Sequence, residues 1–320
     1  MLVKRANSLL TYAPTGHYKT TNVGRFARYE YERTGKRTRL ISADGGGWAP
    51  CQAEIDVGII EPLRIVEADQ PLPLLRKLSQ GYWPNEAGNT LTLAGLDDVG
   101  AYAIEGIQSI STLLLRYIVA SGRKISQEVI GLFQEKINVD NKDVNVSFGA
   151  ASPSHYGLVQ NEVLQLIANF RALPVDRVLF TSAEAKGKDD INDNSTVYGP
   201  ASIGKALTDK LPFEFGDLLH FSSVPVGNTG KMEVRCYLVA HPDLQTKIIW
   251  PAKPRLQPSQ LKAFDKLYPE GYYVLTPERG IEEFLRFQDE SREGLAQDAR
   301  MWKASIDAAR GQQAEEVSNG

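Results

Sequence analysis

An eight-residue stretch near the start of the chain carries the clearest chemical signal. It reads Ala13-Pro14-Thr15-Gly16-His17-Tyr18-Lys19-Thr20 and is followed by Thr21. At the start of a helix, the Lys19 ammonium can neutralise phosphate charge and the Thr20 hydroxyl can hold Mg²⁺. Backbone N–H groups point at an anion there, and the helix dipole favours negative charge. Residues 13–21 are therefore predicted to bind a nucleotide through its phosphates.

This stretch matches the phosphate-loop pattern G-x-x-x-x-G-K-[ST] only in part. The final lysine and threonine are present, and Gly16 and Pro14 match the variant G-P-P-G-x-G-K-T. Ala13 replaces the first glycine, and Tyr18 replaces the glycine before the lysine. That glycine lets the backbone approach the phosphates closely, so Tyr18 fits only if its side chain points away. The alternative is a polar turn with a chance lysine.

Two acids end predicted strands and are, with Lys19, the predicted catalytic residues. Asp44 closes the strand "TRLISAD" and can act as a general base toward water. The alternative is a turn aspartate before three glycines. Glu105 ends the strand in "AYAIEG" and, with Thr20, can hold Mg²⁺. The alternative is an ordinary strand-end carboxylate.

A third strand, "DRVLFTSAEA" at 176–185, ends in Thr181, Ser182 and Glu184. Polar groups there can sense a γ-phosphate or position water, although they also suit a plain polar strand end. Because carboxyl ends of parallel strands meet at one edge of a sheet, these residues should gather near the phosphate loop.

Alternating strands and helices predict an α/β fold with a mostly parallel, twisted sheet and helices on both faces. Residues 8–12 form a strand, and a helix follows with Val23, Phe26, Ala27 and Tyr31 on one face. Gly35 is placed to end that helix. The order strand, loop, helix, strand is a βαβ unit.

The second half of the chain is expected to be less regular. "NVDNKDVN" and residues 186–197 are predicted to be a surface insertion and a polar loop. "MEVRCYLVA" and "TKIIW" are predicted to be two late strands joined by the turn "HPDL". Residues 278–320 are polar and helical in character, with few core residues. We therefore predict a nucleotide-binding domain over 1–277 and a tail or interaction arm over 278–320.

Composition excludes several classes of protein. The 320 residues are 42% hydrophobic and 23% charged, which is ordinary for a globular chain with a sizeable core. A net charge of −3 argues against nucleic-acid binding by bulk charge. Two distant cysteines form neither a zinc motif nor a disulfide framework. Without a signal peptide or a long apolar run, we expect a cytoplasmic protein with no membrane partner.

With these motifs in place, the sequence resembles the RecA-like P-loop nucleotide-binding proteins of bacteriophages, which include AAA-type ATPases and proteins of recombination or single-strand annealing. The resemblance spans roughly residues 5–225, in pieces whose order agrees with that family. They are "LLTYAPTGHYKTT", "TRLISADGG", "AYAIEGIQSI", "YGLVQNEVLQLIANFRALPVDRVLFTSAE" and "YGPASIGKALTDKLPFEFGDLLHF". The resemblance implies a RecA-like core, ATP and Mg²⁺ as cofactors, and self-assembly into rings or filaments.

Such assemblies often complete the site with a basic residue from the neighbouring subunit, which stabilises charge on the transferring phosphoryl group. Lys253 and Arg255 have the K-x-R spacing of such fingers, and a solvated basic turn is the alternative. Lys205 is a second basic candidate for phosphate or DNA.

Three functions are consistent with these residues. The first is an oligomeric phage ATPase that acts on single-stranded DNA during recombination or replication. The second is a degenerate P-loop protein that binds nucleotide without turnover and serves a structural role, which Tyr18 and Glu105 favour. The third is a small-molecule kinase. The sequence has no recognisable arginine-rich lid segment, which argues against this function.

Overall fold

In a computed structural model of the protein, the described residues are 6–303 with short gaps. The gaps are 45–46, 67, 86–89, 94, 121–133, 140–141, 148–150, 152, 189–195, 228, 244–248, 257, 295–299 and 302. The strands are β1 (Asn7–Ala13), β2 (Arg37–Ser42), β3 (Ile60–Arg64), β4 (Tyr82–Pro84), β5 (Leu91–Leu93), β6 (Val99–Glu105), β7 (Gln134–Val139), β8 (Lys142–Ser147), β9 (Arg177–Lys188), β10 (Thr196–Pro200), β11 (Asp217–Pro225), β12 (Met232–Tyr237), β13 (His241–Pro242), β14 (Ile249–Trp250) and β15 (Tyr272–Leu275). The helices are α1 (Lys19–Thr34), α2 (Gln52–Asp56), α3 (Pro71–Leu78), α4 (Ile107–Ala120), α5 (Pro153–Ala172), α6 (Lys205–Glu214), α7 (Pro258–Leu267) and α8 (282–294).

One mixed sheet organises the protein, with its strands in the order β15-β12-β11-β1-β9-β6-β2-β3. The six strands from β11 to β3 run parallel. Strands β12 and β15 add to one edge in antiparallel sense, and β10 pairs antiparallel with β9. The carboxyl ends of β1, β9, β6 and β2 therefore lie along the same edge. The predicted α/β class, with a mostly parallel sheet and late antiparallel strands, is confirmed.

Two hydrophobic clusters cover the two faces of this sheet. Leu10 and Tyr12 of β1 belong to one cluster, which also holds the apolar faces of helices α3 to α6. Leu9 and Ala13 belong to the other, with residues of α1, α7 and α8. Alternate side chains of one strand enter opposite layers because a strand has a side-chain period of two. Burial on both faces explains why β1 and β6 are almost continuously apolar.

Helix α1 begins and ends close to where the sequence predicts. Val23, Phe26 and Ala27 are fully buried, and Gly35 ends the helix with φ of 69° while its N–H donates to the carbonyl of Tyr31. The prediction that Tyr31 shares the buried face is wrong, because its side chain is 43% exposed. Glu30 is buried instead, since two arginines compensate its charge.

The late strands pair differently from the prediction. Of the segment "TKIIW", residues 246–248 lie outside the described residues, and Ile249 and Trp250 do not pair with β12. Strand β12 pairs with β11 and with β15, which was not predicted from the sequence. β14 pairs with β13 in a separate two-stranded ribbon. The segment "NVDNKDVN" and residues 186–197, which were predicted to be an insertion and a polar loop, also contain paired strand residues. β7 pairs with β8, and β9 continues to Lys188 to pair with β10, while 189–195 lie outside the described residues.

Residues just after 278 are part of the folded core, so the expectation of few core residues is wrong there. Ile281, Phe284, Leu285 and Phe287 are buried in the cluster beneath α1. The division of the chain at 277/278 stays a prediction, and residues 304–320 of the expected tail lie outside the described residues. No helix within the described part of the chain is long and apolar enough to cross a bilayer.

Candidate phosphate-binding site

The turn between β1 and α1 contains two residues with a left-handed backbone conformation. Gly16 has φ of 82°, and Tyr18, at the N-cap of α1, has φ of 57° and ψ of 17°. Tyr18 is the one non-glycine residue with positive φ among those described. The backbone there keeps the left-handed conformation that glycine adopts without strain, at a cost of about 1–2 kcal/mol for tyrosine. The Tyr18 side chain is 48% exposed, and the loop remains open.

Lys19 is held by the loop itself. Its Nζ donates to the carbonyl oxygens of Ala13 at 3.0 Å and Pro14 at 2.8 Å. Burial lowers the pKa of the Lys19 ammonium, while the nearby carboxylates of Asp44 and Glu105 oppose that shift. Two carbonyl oxygens satisfy the ammonium only partly, because it has three N–H donors. An anionic oxygen is therefore a natural further partner for Lys19.

Thr20 and Glu105 form the closest contact between the loop and a neighbouring strand. The Thr20 hydroxyl donates to Oε1 of Glu105 at 2.5 Å. Glu105 is 4% exposed, and burial raises the pKa of its carboxyl group, whereas hydrogen bonds from Thr20 and Ser42 oppose this rise. A carboxylate and a hydroxyl in contact supply two adjacent oxygen ligands of the kind that Mg²⁺ uses beside substrate phosphates.

These residues surround a cavity of about 550 Å³ at the carboxyl edge of the sheet. Asp44 lines it from the end of β2 and is exposed to solvent, while its backbone N–H donates to the Ser42 hydroxyl at 3.1 Å. Of the predicted residues, the following line the cavity: Thr15, Gly16, His17, Tyr18, Lys19, Thr20, Thr21, Asp44, Glu105 and Thr181. Pro50, Gln108 and Ser109 line it too and were not predicted.

The three predicted sensor residues divide between the two faces of β9. Thr181 lines the cavity, and its hydroxyl accepts a 3.0 Å hydrogen bond from the N–H of Gly106. Ser182 is fully buried and donates to the carbonyl of Ala201, so it lies away from the cavity. Glu184 lines a second, adjoining cavity.

This second cavity, of about 510 Å³, shares His17 with the first and also contacts Pro14. Its wall is formed by β11, β12 and the β13–β14 ribbon. The ring of His241 stacks on Tyr237 at 3.4 Å between centroids, and Trp250 lies on the same wall. Nε2 of His17 is 2.6 Å from the Ser223 hydroxyl, which ties the loop to β11.

A chain of hydrogen bonds runs behind this wall. Nε2 of His220 lies 3.0 Å from Glu184, and Nδ1 of His220 lies 2.8 Å from Nε2 of His241. Both hydrogen bonds form with neutral rings when the Nε2–H of His220 donates to the Glu184 carboxylate and the Nε2–H of His241 donates to Nδ1 of His220. Burial lowers the pKa of His220, and burial with the neighbouring His220 lowers the pKa of His241 to about 4. Both rings are therefore neutral near pH 7.

The basic residues after β14 lie away from the phosphate loop of their own chain. Lys253 forms backbone hydrogen bonds with Leu218, near the start of β11, and its Nζ lies 5.9 Å from the centre of the Phe213 ring. Arg255 lines a cavity with Asn7 and Ser8 at the amino end of β1. Neither residue lines the cavity of the phosphate loop in its own chain. Lys205 begins helix α6.

Two groups that support the loop were missed by the sequence analysis. Ser42 contacts both Asp44 and Glu105, and its place two residues before the acid on the same strand face was a usable signal. Asn22 accepts from the N–H of Ile281 and donates to the carbonyl of Tyr18, both at 2.8 Å. Its partner lies 259 residues away, so no local pattern could reveal this contact.

The residues present fit a nucleotide with Mg²⁺, since hydroxyl, carboxylate, ammonium and helix start face one cavity. Among the described residues no group of three or more His, Cys, Asp or Glu side chains could hold a metal by itself. Mg²⁺ typically takes one or two protein carboxylates and completes its shell with phosphates and water. A single carboxylate beside a threonine therefore suits a metal that arrives with its phosphates.

The strand order and this loop define an α/β protein with a mostly parallel central sheet and a candidate phosphate loop between its first strand and first helix. No protein-family model and no curated protein matches the sequence. Among solved structures, the chain is similar to the RadB recombinase, with 9% identity, a TM-score of 0.39, and 77% of this chain and 86% of that chain covered. It is also similar to the flagellar accessory protein FlaH from Methanocaldococcus jannaschii, with 10% identity, a TM-score of 0.39, and coverage of 86% and 91%. The fold class follows from the chain's own topology and not from these two likenesses.

Proposed function

We propose that this protein binds ATP with Mg²⁺ at the loop formed by residues 13–21 and hydrolyses it. The observation that carries the proposal is the contact between Thr20 and Glu105, beside Lys19 and at the start of α1. A hydroxyl, a buried carboxylate and a partly satisfied ammonium at one helix N-terminus are the groups that phosphate and Mg²⁺ require.

Each group has a distinct part in binding. Lys19 leaves one or both of its carbonyl partners and binds the β- and γ-phosphate oxygens. Thr20 and Glu105 would hold Mg²⁺, which supplies neutralisation of the phosphate charge when bound. The raised pKa of Glu105 is favourable for this role, because a buried carboxylate gains most from a nearby cation.

Asp44 is the group best placed to act on water. Its side chain is exposed to the cavity from the strand beside β6, and its backbone is fixed by Ser42. A carboxylate there accepts a proton from water that attacks the γ-phosphate. Thr181, on the third strand, is the remaining predicted sensor that lines this cavity.

The adjoining cavity is the natural place for the base and sugar. It begins at His17 and Pro14, where the phosphate cavity ends, and it carries Tyr237, His241 and Trp250. Aromatic rings and apolar side chains suit a flat base, and a few polar groups fix its orientation.

The biological setting is part of the same proposal. We infer a cytoplasmic phage protein that acts as a ring or filament on single-stranded DNA in recombination or replication. Lys253 and Arg255 lie far from their own loop, which suits residues that complete the site of a neighbouring subunit. Their contribution would be charge stabilisation in the transition state.

The alternative function is nucleotide binding without turnover, in a structural or assembly role. The left-handed, non-glycine Tyr18 favours it, because a side chain at that position restricts how closely the backbone approaches a phosphate. This protein would bind ATP, form oligomers stabilised by nucleotide, and release no phosphate.

Phosphate release from ATP separates the two functions. It is measured with Mg²⁺, with and without single-stranded DNA, for the wild type and for Lys19→Ala. The proposal expects turnover that DNA stimulates and that the variant abolishes. Nucleotide binding with no turnover under any condition would establish the alternative. Transfer of the γ-phosphate to a small acceptor would instead support a kinase.

A further inference from the structure

A third cavity, of about 440 Å³, lies at the amino end of the central strands, opposite the phosphate loop. Asn7 and Ser8 of β1 form its floor, and Gln260 of α7 is buried beside it. Three arginines from separate segments line the same space. They are Arg171 at the end of α5, Arg255 after β14 and Arg292 on α8.

The charge of this cavity is poorly compensated. Arg171 has one carboxylate partner, Glu214, at 3.5 Å, and both side chains are about one third exposed. Among the described residues, neither Arg255 nor Arg292 forms an ion pair. Asp217 is close by, and burial raises the pKa of its carboxyl group while the charge of Arg292 opposes this rise. Asp217 is 4% exposed, however, and its Oδ1 accepts from the backbone N–H of Arg255 and from Gln288. Three guanidinium groups thus line a concave space, and among the described residues Glu214 is the one carboxylate that forms an ion pair with any of them.

We propose that this arginine cavity binds a phosphate group. The planar fork of a guanidinium matches phosphate oxygens, and several forks that converge bind phosphate far better than one surface arginine does. The backbone here is rigid, because β1 and β11 are central strands joined by hydrogen bonds from Gly216 to Ser8. A preorganised cluster of this kind loses little entropy when the anion binds.

The phosphate can belong to a free anion or nucleotide, or to the backbone of a single-stranded nucleic acid. The cavity shares no lining residue with the phosphate loop or its cavity, and Arg255 is its one residue that also enters the proposed function. Arg255 takes part here through its own chain, which differs from its proposed role toward a neighbouring subunit. Separate tests of anion binding and of turnover distinguish the two roles.

The experiment uses the full chain carrying Lys19→Ala, which weakens phosphate binding at the loop. Pyrophosphate binding is measured by titration calorimetry, and binding of a labelled short oligothymidylate by fluorescence anisotropy. Arg292→Gln and Arg255→Gln are each added to this background. Arg286→Gln is the matched control, since Arg286 lies on the same helix and is exposed outside the cavity.

We expect Arg292→Gln and Arg255→Gln each to weaken binding roughly tenfold, since each removes charge-assisted hydrogen bonds. Arg286→Gln should leave it within about twofold. Arg255→Lys, which keeps the charge but not the fork, should fall between the wild type and Arg255→Gln. Pyrophosphate binding alone would indicate a free anion as the ligand, and tighter oligothymidylate binding would indicate a nucleic-acid backbone.

Absence of binding by both probes, or equal losses in Arg286→Gln and Arg292→Gln, would overturn the proposal. Thermal unfolding of each variant shows whether a loss reflects the site or the fold. If Arg292→Gln unfolds early, the decision rests on Arg255→Gln and Arg255→Lys, whose altered side chain is exposed.

Discussion

The hydroxyl of Thr20 donates a 2.5 Å hydrogen bond to Oε1 of Glu105, although the two residues are 85 positions apart in the chain. This contact joins the first turn of α1 to the end of β6, across the strand β9 that separates β6 from β1. It brings together the two side chains that the sequence analysis names as metal ligands. The position of the proposed metal site therefore follows from the sheet order as well as from the loop.

Replacing Glu105 by glutamine should remove the metal-dependent part of nucleotide affinity. Glutamine keeps the size and can accept from Thr20, but it lacks the charge that Mg²⁺ binds. We expect ATP affinity in Mg²⁺ to fall roughly tenfold or more, with little change in EDTA. Titration calorimetry under both conditions measures this. Equal losses with and without Mg²⁺ would show that Glu105 supports the loop rather than the metal.

Replacing Asp44 by asparagine should lower turnover while binding persists. Asp44 lines the phosphate cavity, and the described side-chain hydrogen bonds of Lys19 and Thr20 go to Ala13, Pro14 and Glu105 instead, so the loop should stay intact. Loss of a general base typically lowers the rate by roughly 10²–10⁴-fold. Phosphate release and ATP affinity are measured together, with Asp265→Asn on α7 as the exposed control. Unchanged turnover in Asp44→Asn would remove Asp44 from the mechanism.

Replacing Asp289 by alanine should destabilise the whole domain, because α8 is tied to α1 and β9. Asp289 accepts from Tyr29 at 2.8 Å and pairs with Arg177, which is 3% exposed and also pairs with Glu30 at 2.5 Å. We expect a loss of roughly 1.5–3 kcal/mol in the free energy of unfolding, measured by urea denaturation.

Glu293→Ala is the control, since it removes an exposed acid from the same helix and should change stability by no more than about 0.5 kcal/mol. Equal effects of the two substitutions would mean that residues after 278 are a separate arm rather than part of the domain.

Lowering the pH should reduce the free energy of unfolding through protonation of His241, which lines the adjoining cavity. Its pKa in the folded protein, about 4, lies below the unfolded value of about 6.5. Its contribution to stability is therefore complete above about pH 6.5 and is lost as the pH falls toward 4. We expect His241→Gln to lose less stability than the wild type over this interval, measured by urea denaturation at several pH values. Parallel pH profiles would exclude the histidine pair as the cause.

Local patterns in the sequence were sufficient for the elements that carry the loop. The apolar run of β1, the apolar stripe of α1 and the glycine at the end of α1 depend on neighbours within a few residues. Asp44, Glu105 and Thr181 each lie at or near the carboxyl end of a predicted strand, and parallel strands have their carboxyl ends at the same edge of the sheet. Their common location could therefore be predicted. These features follow from periodicity and chain direction alone.

Contacts between distant segments could not be predicted in this way. Glu30 of α1 is buried because Arg177 of β9 forms an ion pair with it. A prediction based on residue polarity alone therefore assigned the wrong residue to the buried face of α1. The strand β15 is four residues long, and it is stabilised by pairing with β12 rather than by its own pattern. Likewise, α8 looks polar in sequence, yet its few apolar residues complete the core beneath α1.

The central claim is that residues 13–21 bind nucleotide phosphate, and Lys19 tests it most directly. Titration calorimetry of ATP with Mg²⁺ compares the wild type, Lys19→Ala and the exposed-lysine control Lys262→Ala. We expect measurable binding by the wild type and the control, and a loss of roughly tenfold to a hundredfold in Lys19→Ala. No binding by the wild type, or equal affinity in all three proteins, would contradict the account.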